Sequence, residues 1–66
     1  MSDVEDLKAE IKKLSAQAMQ AKMDLHDLSE ELPLNAESIL SIAQRTHNAY
    51  EMLALKRAKL KALESK

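Results

Sequence analysis

Apolar side chains step along the first half of this chain at intervals of three and four. They run from Val4 through Leu7, Ile11, Leu14, Ala18, Ala21, Leu25 and Leu28 to Leu32 without a break. That spacing is the a/d seam of a heptad repeat, and it commits the segment to one long helix burying a single stripe. Pro33 ends it, because proline lacks an N–H and disfavours helical geometry for the residue before it. It is the only proline, and there is no glycine, so 66 residues contain no second hard stop. A second seam follows as Ile39, Ile42, Thr46, Ala49, Leu53, Lys56, Leu60 and Leu63. The expected fold is all-α: one domain over residues 1–66, an antiparallel αα-hairpin with helix 1 over about 2–32, a turn at 33–35 and helix 2 over about 36–64.

Asn35 is placed to cap helix 2, with Glu37 in its first turn and Leu34 set to pack on Ile39 as a hydrophobic staple. Laying the seams antiparallel pairs Leu28 with Ile39, Ala21 with Thr46, Ala18 with Ala49, Ile11 with Lys56 and Val4 with Leu63, each pair of numbers totalling 67. Small residues then share one stretch, which lets the helices approach closely at mid-length. Lys56 alone breaks the apolar pattern; its stem can lie along Ile11 while the amine reaches water.

One mutual seam leaves further apolar stripes without a partner. Ala9, Ala16, Met19 and Met23 run toward His26 on helix 1; Leu40, Ala43, His47, Tyr50 and Ala54 run along helix 2 beside Met52 and Leu55. Exposed apolar patches of this size mark association, and a chain this short gains from added burial. A homodimer is expected, as a four-helix bundle or a rod-like helical dimer, with Met19, Leu40, His47 and Tyr50 at its interface. Met19 and Met23 either fill gaps in that core or offer an adaptable surface to a partner.

Composition removes other classes of function. Without glycine there is no phosphate-cradling loop, dinucleotide fingerprint or nucleophile elbow. The absence of cysteine excludes disulfides and thiolate metal sites and fits a reducing, cytoplasmic setting. No Ser-His-Asp set or Glu-x-x-His repeat is present, so an enzyme is not expected. A sequence pI near 6.1 argues against a general polyanion binder, and no apolar run reaches the roughly 20 residues of a membrane span.

The charges are uneven: residues 1–33 carry four Lys against eight Asp or Glu, whereas 34–66 carry six Lys or Arg against three Glu. At the open end, acidic Asp3, Glu5, Asp6 and Glu10 are expected beside basic Lys56, Arg57, Lys59 and Lys61. At the turn end Asp24, Asp27, Glu30, Glu31 and Glu37 gather, with no Lys or Arg between positions 23 and 44. Four of these acids sit at the C-terminal, negative end of helix 1, which disfavours carboxylates. A local rule broken in this way marks a candidate site. His26 with Asp27 and Glu30 is a candidate ligand set for nickel, zinc or ferrous iron, although one His-carboxylate pair is also a common surface ion pair. Met23, Asp24, Glu31 and Glu37 are the candidate partner-binding residues.

The stretch A-K-M-D-L-H-D-L-S-E-E-L-P from Ala21 to Pro33, continued to Tyr50, resembles the Rop-like, NifX-associated family of small proteins from nitrogen-fixation gene clusters. The match falls on Lys22 to Leu28 and on Glu31, Leu32 and Pro33. It departs at Ala36, where an aromatic residue is frequent, and at His47, where a tyrosine is common. The resemblance implies a dimerising helical hairpin, a link to nitrogenase or its cofactor-assembly proteins, and divalent-metal binding at a histidine. The expected function is a non-enzymatic accessory protein of nitrogen fixation, a dimeric adaptor whose acidic, His-containing turn end docks a partner or transiently holds a metal. The alternative is an RNA-binding bundle like the plasmid protein Rop. Against it, the basic run faces the chain's own acidic segment and no aromatic residue accompanies it.

Overall fold

The structure, a computed structural model, describes residues 3–65. Two α-helices, α1 (Asp3–Glu31) and α2 (Ile39–Glu64), lie antiparallel and span 50 × 16 × 13 Å. Asp3, Glu5 and Asp6 occupy the first turn of α1, where the helix dipole favours them. The expected start at position 2 lies outside the described residues.

The seam is the core. Leu7, Ala18, Ala21, Leu28 and Leu53 are buried, and Val4, Ile11, Leu14, Leu25, Ile42, Thr46, Ala49, Leu60 and Leu63 are half-buried between the helices. Ala18, only 1 % exposed, is the most deeply buried of them. One turn along, the Thr46 hydroxyl lies 2.8 Å from its own-helix acceptor, the Ile42 carbonyl, and 3.2 Å from the Ala21 carbonyl across the seam. A short side chain reaches the main chain of the facing helix only where the two backbones are close. The contact also fixes the register, since Ala21 and Thr46 are partners in the antiparallel pairing. Lys56 stays half-buried beside that seam, and its amine meets Glu10 at 3.1 Å.

The turn differs from expectation. A single 3-10 turn, Ala36–Ser38, precedes α2, and Asn35 adopts left-handed geometry with φ 63° and ψ 24°. With no glycine available, asparagine is the residue that tolerates this conformation best. Its side chain caps nothing: the Asn35 Nδ2 donates back to Glu31 Oε1 at 2.9 Å. The staple is absent as well, with Leu34 70 % exposed and Ile39 and Leu32 at the surface. The main chain closes the turn through Leu34 N–H to the Glu31 carbonyl at 3.0 Å and Ser38 N–H to the Asn35 carbonyl at 2.9 Å; the Leu32–Pro33 peptide is cis.

Candidate functional site

Helical geometry places His26 and Glu30 one turn apart on α1, and the structure joins them, with Nε2 of His26 2.5 Å from Glu30 Oε1. Asp27, next in sequence, is rotated about 100° away and lines a different groove with Asp24, Glu31 and Arg45. The expected set of three is therefore not brought together. Among the described residues no group of three or more His, Asp or Glu is placed to hold a metal ion. A divalent cation would find two donors here, fewer than the four of a closed zinc site.

Two of the turn-end acids have structural work. Asp24 is half-buried, forms an ion pair with Arg45 of α2 and accepts from Gln20 Nε2 at 3.0 Å. Glu31 holds Asn35. These contacts give part of the dipole-defying acidic cluster a local reason: Asp24 ties the helices together and Glu31 anchors the turn. Asp27 and Glu37 make no such side-chain contact among the described residues, and both are exposed. Around them stand Leu34 and Leu40, the latter 83 % exposed. The tip thus presents leucines within an acidic surround, with Leu34 in water rather than stapled to Ile39. Its spacing alone carried no sign that it faces water.

The hairpin has two unlike flanks. On one, acid faces base: Asp24 with Arg45, and Asp3, Asp6 and Glu10 along a groove with Lys59. On the other, Lys8 meets Glu64 at 3.7 Å, and an open groove of about 620 Å³ runs from Lys8, Lys12 and Arg57 over Ile11 and Ala16 to Met19 and Met23. Contrary to the expectation that sets Arg57 beside the acidic segment, its place one residue after Lys56 turns it to this second flank, among lysines. Met19 is 58 % exposed, and Met23 lies in the groove beside it rather than at the tip. Steps of three and four along α2 from Arg57 pass through Ala54, Tyr50, His47, Ala43 and Leu40. Met19, Leu40, His47 and Tyr50 therefore share one flank. The imidazole of His47 pairs with Glu51 at 3.0 Å on its outer edge. The cationic rim of Lys8, Lys12 and Arg57 is not among the residues expected at a site, although its helical spacing around the seam encodes it.

Comparison with known proteins extends over nearly the whole chain. A UPF0437 protein of Azorhizobium caulinodans is 62 % identical over 65 residues, covering 98 % of this chain and 94 % of the relative. A Frankia alni protein, described as a UPF0437 protein in the nifX-nifW intergenic region, is 47 % identical over 45 residues, covering 68 % of this chain and 55 % of its own. A protein solved by NMR as a structural-genomics target superposes with a TM-score of 0.91 at 45 % identity, covering 98 % of this chain and 92 % of the other. That likeness supports the helical hairpin as the fold. No helix among the described residues is long and apolar enough to cross a membrane. The family profile described as Rop-like matches residues 2–65, and the chain belongs to the Rop-like family.

Proposed function

We propose that this protein is a non-enzymatic accessory of nitrogen fixation, a homodimeric helical adaptor whose turn end docks a partner protein. The observation that carries the reading is the tip itself: exposed Leu34 stands beside acids, of which Asp27 and Glu37 form no ion pair among the described residues. Apolar groups ringed by like charge fit a partner with an apolar hollow and a basic rim, where the carboxylates steer encounter and the leucines supply contact. The Frankia alni relative's position between nifX and nifW supports nitrogenase or its cofactor-assembly proteins as the partner class. His26 and Glu30 favour the docking form of the reading over resident metal, since nickel, zinc or ferrous iron would need its remaining ligands from water or from the docked protein.

The test replaces His26, Asp27 and Glu30 by alanine in a nitrogen-fixing host and, in parallel, Leu34 and Glu37. Diazotrophic growth and binding to purified cofactor-assembly proteins should fall in both variants. If growth and binding were unchanged in both, the turn-end reading would be lost. A salt-dependent gel shift with structured RNA would instead favour the Rop-type alternative.

A further inference from the structure

We propose that the flank on which Asp24 meets Arg45 docks one amphipathic helix of a partner protein, with basic side chains three heptads apart and apolar ones between them. The inference rests on the docking reading above and carries it from the tip along the length of the hairpin.

Two rows beside the seam build this flank. On α2, steps of three and four from Arg45 pass through Asn48, Met52 and Leu55 to Lys59. On α1 the facing row begins at Asp3 and Asp6, is polar through Gln17 and Gln20, and ends at Asp27 and Glu31. An open groove of about 340 Å³ lies between the rows at the turn end, where Arg45 shares it with Asp27 and Glu31. Another, of about 350 Å³, lies at the open end, where Lys59 shares it with Asp3 and Asp6. Between the two grooves Met52 and Leu55 stand in water, 46 % and 61 % exposed.

Carboxylates already engaged within the chain offer a partner little. Glu10 is paired with Lys56 and Asp24 with Arg45. Asp6 and Asp27 are exposed and form no ion pair among the described residues. They stand 21 residues apart on α1, which is three heptads and about 32 Å, so they share one face of the helix. By the register that sets Ala21 against Thr46, Met52 and Leu55 fall between these two carboxylates, nearer Asp6.

An occupant has to answer both features: cations about 32 Å apart, and apolar side chains between them. One helix does so from a single stripe, its basic residues closing the two ends. A nucleic acid would bring phosphates to carboxylates. A polyamine would answer the acids and leave Met52 and Leu55 in water. A second copy offering this same flank would set Asp6 and Asp27 against the same acids in either sense.

A fluorescein-labelled synthetic helix of about 24 residues, with arginines three heptads apart and leucines on the same stripe between them, is titrated against the intact protein by anisotropy. Binding should weaken by about fivefold at low salt for Asp6→Lys and likewise for Asp27→Lys, and by about tenfold when Met52→Ser and Leu55→Ser are combined. All four positions are exposed, and circular dichroism checks that each variant keeps its helicity. Glutamates in place of the peptide's arginines should abolish binding. No binding, or equal binding by every variant, overturns the inference. Weakening at Asp27→Lys alone confines contact to the turn end, which overturns the flank and leaves the docking reading in place. A lower mass for the Met52 and Leu55 variant in sedimentation equilibrium assigns the flank to a second copy and overturns the partner helix. The docking reading itself stands or falls on Leu34 and Glu37 in nitrogen-fixing growth, which this titration does not touch.

Discussion

At the scale of single residues, the turn depends on one backbone angle. Asn35 holds φ at 63° and spends its side chain on Glu31. Replacing it separates these two roles. Asn35→Gly keeps the left-handed conformation and is expected to change stability by less than about 0.5 kcal/mol, whereas Asn35→Ala should cost about 1 kcal/mol, as a Cβ is forced into that region. Urea denaturation of the two variants measures the difference, and equal losses would assign the effect to the Glu31 contact instead. Ala18 makes the complementary case in the core. At a position only 1 % exposed there is no room for extra methylenes, so Ala18→Leu should destabilise the hairpin by about 1–3 kcal/mol despite its greater apolarity.

At the scale of the helices, the seam was legible because burial between two helices is periodic, and a period is visible in one dimension. Thr46 facing Ala21 follows directly from it. The turn is aperiodic; its course depends on dihedral angles and on which of several hydrogen bonds Asn35 makes, so the cap and the Leu34 staple were reasonable by composition and still incorrect. The site lies between these cases. The faces of Met19, His47 and Tyr50 follow from the seam, but the engagement of Asp24 by Arg45 depends on long side chains bridging two helices, which spacing along one helix does not report. Lys56 offers a test of the seam itself. It faces Ile11 in the antiparallel register, half-buried and paired to Glu10. An exposed ion pair contributes about 0–1 kcal/mol, less than a leucine gains by burial in the same place. Lys56→Leu is accordingly expected to stabilise the hairpin by about 1 kcal/mol, read as a higher urea midpoint with unchanged helicity. A lower midpoint would show that the Glu10 pair outweighs apolar continuity.

For the whole molecule, the deciding quantity is how much apolar surface one hairpin can hide. Among the described residues five are buried, none of them an aromatic, while Met19, Met23, Leu40, Tyr50, Met52 and Leu55 remain exposed. The conformational entropy of ordering such a chain is of order 1–2 kcal/mol per residue, so a core this small leaves little margin. If a second copy supplies the missing burial, folding and association are one equilibrium and stability depends on protein concentration. The size of the dependence follows from the enthalpy: at about 0.7 kcal/mol per residue, two chains absorb roughly 90 kcal/mol near 60 °C. For a folded dimer in equilibrium with two unfolded chains, a tenfold rise in concentration should then raise Tm by about 5 °C. Met19→Glu, which puts a charge on the exposed methionine flank without touching the seam, should lower Tm at every concentration. Thermal scans by circular dichroism over a hundredfold range decide the matter: a rising Tm marks burial shared between copies, and a constant one assigns the hairpin its stability alone.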